Sequence, residues 1–160
     1  MIAPQDLADA ICVQLRRSPC AGAFGDTYDP GTETGTPKFF ADYAEQVTPP
    51  YLWFNEVGET YTYLSPGPSN LRPFLAEGTF VLTIIATPRS LARSLGLMVS
   101  SALNDADADA MTWNSAFGVY TLRFLRLMSA SFLPITEIGV ATPAVFARVL
   151  TFSYQYEGMI

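Results

Sequence analysis

The sequence contains no histidine. That removes the commonest general base at neutral pH and the commonest nitrogen ligand for zinc. A Ser-His-Asp or Cys-His site cannot be assembled within this chain. Lysine is nearly absent as well. Lys38 is the only one among nine basic residues, against fifteen acidic ones, for a net charge of −6. A protein that grips nucleic acid by its phosphates normally carries a basic patch. Here the cations are scattered, so free-standing nucleic-acid binding is not expected, although an acidic protein can surround DNA without adhering to it. Neither a phosphate-cradling loop nor a dinucleotide glycine fingerprint occurs.

Charged residues make up only 15% of the chain and hydrophobic ones 49%. Disorder needs the opposite balance, so a mostly disordered chain is excluded. The same balance leaves much surface apolar or neutral, as expected where a partner covers part of it. Arg, Ser or Pro breaks every apolar stretch well short of a membrane span. The N-terminal run MIAPQDLADAICVQL has no basic start and no unbroken apolar core, and so reads as lacking a signal peptide. Two cysteines, Cys12 and Cys20, cannot make a disulfide framework and are expected to be reduced. Cys12 falls near the apolar face of a helix, as a small buried hydrophobe. Cys20 lies beside Pro19 with only Arg16 and Arg17 nearby in sequence to lower its pKa. Without histidine, neither is expected to be a catalytic nucleophile.

At 160 residues the chain is expected to be one domain, 1–160. Leu7, Ala8, Ile11 and Leu15 recur at helical spacing and predict a helix over 4–17, with Pro4 in its first turn and Pro19 stopping it. Residues 20–37, rich in Gly, Pro, Thr and Asp, read as a long mobile loop. Runs at 51–56 and 59–64 flank Val57-Gly58 and read as a hairpin. A second irregular loop follows at 65–76. The β-branched run Glu77–Ala86 predicts a strand leading through Thr87 and Pro88 into a helix. That helix carries an apolar stripe of Leu91, Leu95, Met98, Val99, Ala102 and Leu103, and Asn104 is its C-cap. Phe117–Met128 and Val145–Glu157 read as two more strands, joined by a mobile connection at 129–144 that carries Phe132, Leu133 and Ile135. In the last strand Leu150, Phe152, Tyr154 and Tyr156 alternate with polar residues, which implies one covered face. The expected fold is α+β: a mostly antiparallel sheet of about four to five strands with two main helices packed on one face. The strand–helix–strand unit at 79–128 reads as a possible right-handed crossover.

Asp105, Asp107 and Asp109 invite a calcium reading. An EF-hand loop starting at Asp105 needs glycine at its sixth position and glutamate at its twelfth, where Ala110 and Ala116 stand. A solvated polar loop is the plainer reading, and no metal or cofactor is expected. Arg89 and Arg93 sit one helical turn apart off the apolar stripe. They are either a solvated face or a docking edge for an acidic neighbour. Arg123 and Arg126, three apart in a strand, are expected on opposite faces. With Tyr61 and Tyr63, which share a face, they have the composition of an interface, or of ordinary sheet packing.

The layout resembles the phage tail-terminator, or tail-completion, family. The carrying segments are PPYLWF at 49–54, TFVLTIIATPRSLARSLGLMVSSAL at 79–103 and RVLTFSYQYEG at 148–158, after an N-terminal helix and an irregular loop. The likeness is one of pattern over most of the chain, with no diagnostic motif; the 20–37 loop and the 129–144 connection are both long for the family. It implies a virion protein assembled in the host cytoplasm, with no catalytic residues. The implied assembly is a homo-oligomeric ring, taken as a hexamer, that caps the tail tube and meets the head–tail connector. DNA would pass through its lumen without specific binding. The candidate interface residues are then Tyr61, Tyr63, Arg89, Arg93, Arg123, Arg126, Phe132 and Leu133. The alternative is a small ligand- or peptide-binding module that uses the aromatic hairpin as one wall of a pocket.

Overall fold

A computed structural model of the chain describes residues 6–42, 44, 47–64, 72–104, 111–115, 118–135 and 145–159. Helix α1 spans Leu7–Arg17 and buries Leu7, Ala8, Ile11 and Leu15, the stripe expected from their spacing. It starts later than expected, because the Asp6 carboxylate caps it by accepting from the Asp9 amide at 2.8 Å. Pro4 lies outside the described residues. At the other end the Ser18 hydroxyl donates to the Leu15 carbonyl at 2.7 Å.

The stretch expected as a loop from residue 20 instead opens with a second helix, α2, Cys20–Phe24. Cys20 and Phe24 lie one turn apart and both are buried, so the short helix is held by packing. It ends at Gly25, whose φ of 73° lies in the left-handed region that favours glycine. The chain then folds back through a bridge between Asp29 and Thr34 and reaches β1, Phe39–Phe40.

The remaining elements are β2 (Tyr51–Tyr63), β3 (Pro73–Ala86), α3 (Arg89–Asn104), β4 (Thr112–Ser115), β5 (Gly118–Ile135) and β6 (Val145–Met159). They form one six-stranded sheet in the order β1-β2-β3-β6-β5-β4. β1 runs parallel to β2 and every other pair is antiparallel. The sheet is mixed and curls into a half-barrel, and strand makes up 52% of the described residues. This overturns the expected four- to five-stranded antiparallel sheet with two packed helices, since the described strands are six in a mixed sheet and the described helices are three and small.

The causes are local. Val57-Gly58 is not a turn. β2 passes straight through it, paired with β3 on both sides, and the register shift between Glu56 and Gly58 marks a bulge at Val57. The edge strands β1 and β4, of two and four residues, are too short to leave a periodic signal. β3 begins at Pro73, so residues 73–76 of the second expected loop are strand. β5 runs on to Ile135, so Phe132, Leu133 and Ile135 belong to a strand and not to a connection.

β6 alternates as its sequence implies: Leu150, Phe152, Tyr154 and Tyr156 are all buried. It lies between β3 and β5 and is antiparallel to both, which makes β3 and β5 parallel. Helix α3, which follows β3 in sequence, packs on β3, β6 and β5. Its buried face is Ala92, Leu95, Gly96, Val99, Ser100 and Leu103, with Leu91 and Met98 only partly covered. At its end the Asn104 side chain accepts from the Leu127 amide of β5 at 3.3 Å.

Candidate functional site

The bulge at Val57 creates the first cluster. Side chains three apart on a regular strand point to opposite faces. One extra residue cancels that parity, so Glu56 and Glu59 both reach the phenol of Tyr154 on β6. Tyr154 donates to Glu59 at 2.7 Å, and Tyr156 donates to the other oxygen of the same carboxylate at 3.1 Å. Tyr61 donates to that second oxygen as well.

Room for this comes from β3. Gly78 is paired with both Glu59 and Tyr154, and a Cβ built on it would stand 2.5 Å from the Tyr154 hydroxyl. Burial and the adjoining Glu59 push the Tyr154 phenol far above the ordinary tyrosine range. The same two causes push up Tyr156. Tyr61 rises to about 12, chiefly because it donates to Glu59. The Glu56 carboxyl is pushed up by burial and by the charge of Glu59. Asp6 and Asp42 line a cleft of about 270 Å³ with Glu56, which extends the acidic surface to the start of α1.

The second cluster is cationic. Phe132 on β5 lies directly opposite Arg148 on β6, and three guanidinium groups converge on its ring. Arg148 stands 4.3 Å from the ring centroid, Arg89 4.7 Å and Arg93 5.7 Å. Gly96 of α3 makes the approach possible, since the Arg148 stem lies where a Cβ there would be 3.0 Å from its Cγ. The buried Nε of Arg148 has no hydrogen-bond partner. Burial and the like charges of Arg93 and Arg89 push the Arg148 pKa down. Among the described residues, none of the three arginines forms an ion pair.

The sequence-derived candidates are therefore dispersed. Arg89, Arg93 and Phe132 come together, and Arg148, which the sequence reading passed over, completes the group. Tyr61 joins the glutamate cluster, whereas Tyr63 is exposed and packs toward Phe74, 6.4 Å between ring centroids. Leu133 is 57% exposed. Arg123 and Arg126 do not point apart as expected. A register shift at Arg123 resets the parity of β5, so Arg123 pairs with Glu157 while Arg126 lies opposite Ser153. Glu157 and Ser153 share one face of β6.

The hairpin that would have walled a pocket does not exist. The cleft beside its expected position, lined in part by Leu64, Phe74 and Val119, holds about 190 Å³. That is less than the few hundred Å³ of ordinary ligand pockets. Among the described residues no three His, Cys, Asp or Glu side chains gather as a metal site, and Asp105, Asp107 and Asp109 lie outside them. Burial pushes the Cys12 thiol up to about 12 and raises that of Cys20, which disfavours the thiolate of each. No described helix is long and apolar enough to cross a membrane.

The two clusters share β6 but lie apart along it, Arg148 near its start and Tyr154 and Tyr156 near its end. β1 pairs only with Leu52 and Trp53, so no described strand covers the outer side of β2 from Phe54 onward. β4 pairs only with residues Gly118–Thr121, so no described strand covers β5 beyond them. Val119, Phe124, Met128 and Leu133 are exposed along β5.

In structure the chain is similar to a chain from the virion of a native gene transfer agent (GTA) particle. The match has a TM-score of 0.59 and 17% sequence identity and covers 95% of each chain, a likeness of fold. No protein-family model matches the sequence, and no curated protein matches it.

Proposed function

We propose that this chain is a structural subunit of a phage-like virion, working by contact with copies of itself and with neighbouring virion proteins, and not as an enzyme. The observation that carries this reading is the fold held in common with the gene transfer agent virion chain over 95% of both. In finer detail, the subunits form a hexameric ring that ends the tail tube and joins it to the head–tail connector. DNA passes through the lumen, and assembly takes place in the host cytoplasm.

Physical features support the reading. A ring is built from heterologous contacts, so each subunit needs two different surfaces. The two open sheet edges, with exposed apolar side chains on β5, are such surfaces. A net charge of −6 suits a wall past which DNA slides without sticking.

Deleting the gene from a cell that produces the particles tests the role. Heads and tails that accumulate unjoined are the expected result, and intact particles in normal number would refute it. Light scattering after size exclusion, across a wide concentration range, tests the ring, with a closed species near six subunits expected.

A further inference from the structure

The cationic cluster has no counter-ion among the described residues. Three guanidinium groups share one aromatic ring, one of them has a buried donor with no acceptor, and none has a described carboxylate beside it. Like charges gathered in this way repel, and removing a charged donor from water without an acceptor is costly. The arrangement is relieved when an anion arrives, and arginine forks match carboxylates in particular.

A matching anion exists on the same molecule, out of reach. Asp6, Asp42, Glu56 and Glu59 gather at the open edge of β2, and none of them forms an ion pair among the described residues. Glu59 is already held by three tyrosines, but Asp42 and Glu56 are exposed. The arginines lie toward the other end of β6, where Arg148 is six residues from Tyr154, about 20 Å along a strand, and beside β5, the other open edge. Patches of opposite charge held that far apart cannot meet within one copy. They meet when copies stand side by side in the same sense.

We propose that Arg89, Arg93 and Arg148, gathered around Phe132, form a docking point for the acidic edge of a second copy of this chain, with Asp42 and Glu56 as the facing carboxylates. This deepens the assembly reading above and rests on it. Arg89 and Arg93 lie on the exposed surface of α3 and supply the reach. Arg148 passes in the space left by Gly96 and lies against the same ring. Contact in this sense is heterologous, so it closes into a ring or runs on as a filament.

A charge swap tests the pairing. One variant carries Arg89→Glu and Arg93→Glu, the other Asp42→Arg and Glu56→Arg, all at exposed positions, and circular dichroism checks that each is folded. Mass is read by light scattering across concentration for wild type, for each variant alone and for an equal mixture. Each variant alone is expected to self-associate at least tenfold more weakly than wild type. The mixture is expected to recover association, because every contact between unlike variants is attractive. High salt should weaken wild type and mixture alike.

Three results would overturn the proposal: an arginine variant that associates like wild type, a mixture that stays dissociated, or a wild type that is monomeric at every concentration. The gene deletion described above still judges the virion role in each case. Polarisation of a labelled DNA duplex separates the remaining source of anions. Duplex binding that is lost in the arginine variant while self-association is unchanged would assign the cluster to phosphate and refute the docking of copies.

Discussion

Tyr154 reaches Glu59 by crossing over a glycine. Its phenol on β6 donates at 2.7 Å to a carboxylate on β2, and Gly78 of β3 is the cross-strand partner of both. A side chain at residue 78 would occupy the path of that bond. A Cβ there would also lie 2.5 Å from the Gly58 carbonyl oxygen, next to the bulge.

Gly78→Ala is therefore expected to destabilise the fold by about 1–3 kcal/mol, the usual cost of forcing extra volume into a packed site. Urea unfolding measures it. Tyr154→Leu removes two of the three clashing atoms, the hydroxyl at 2.5 Å and the ring carbon Cζ at 2.7 Å, so the double variant should lose less than the sum of the single losses. Additive losses would mean that the tyrosine does not lie over the glycine.

The same carboxylate helps to delay the ionisation of three of the eight tyrosines. Absorbance titration should show Tyr154 and Tyr156 silent well past the ordinary range, and Tyr61 ionising near 12. The unfolded chain releases these protons first, from about pH 10. Stability is then lost as pH rises from there toward the folded values. Glu59→Gln should return Tyr61 toward its ordinary value, because the bond to Glu59 is its largest cause. Tyr154 and Tyr156 should move less, because burial is theirs.

Glu56 gives a prediction at the acid end. Its carboxyl is raised by burial first and by Glu59 second, so the native state holds its proton more tightly than the unfolded chain does. Stability from this group therefore falls as pH rises from the ordinary glutamate value, about 4.3, through the raised one. Glu56→Gln removes the dependence. The variant should melt higher than wild type at pH 7, and the gain should vanish near pH 4. An equal gain at both pH values would contradict the raised carboxyl.

Several of these features were legible in the sequence and several were not, for physical reasons. The alternation of Leu150, Phe152, Tyr154 and Tyr156 named a covered face, because a strand repeats every two residues. The helical spacing of Leu95, Val99 and Leu103 did the same for α3. Val57-Gly58 misled because a bulge and a tight turn both want a glycine, and only pairing with a distant strand tells them apart. That one misreading hid the convergence of Glu56 and Glu59. The register shift at Arg123 hid its partnership with Glu157 in the same way. Arg148 passed for an ordinary residue of an alternating strand, since its neighbours Phe132 and Gly96 are brought in by tertiary structure. Asp26 passed for loop polarity, and it proves to be the anchor of its segment.

Asp26 supports the last prediction. Its side chain is buried beneath α1, and each of its oxygens accepts twice. Oδ1 takes the Arg16 Nε at 3.2 Å and the Tyr28 amide at 3.2 Å. Oδ2 takes the amides of Lys38 at 2.7 Å and Phe39 at 3.3 Å. Arg16 continues to the Phe39 carbonyl at 3.1 Å and lies over the rings of Tyr28 and Phe39, so one ion pair ties α1 to the start of the sheet. Asp26→Ala leaves a half-buried guanidinium with only the Phe39 carbonyl and three amides without their acceptor, and should cost about 3 kcal/mol. Asparagine is no remedy. Whichever way its amide turns, the NH2 faces two donors, so Asp26→Asn should lose most of the same stability. Urea unfolding of both variants measures this, and an asparagine variant within about 0.5 kcal/mol of wild type would show that the four-donor arrangement is not what holds the segment.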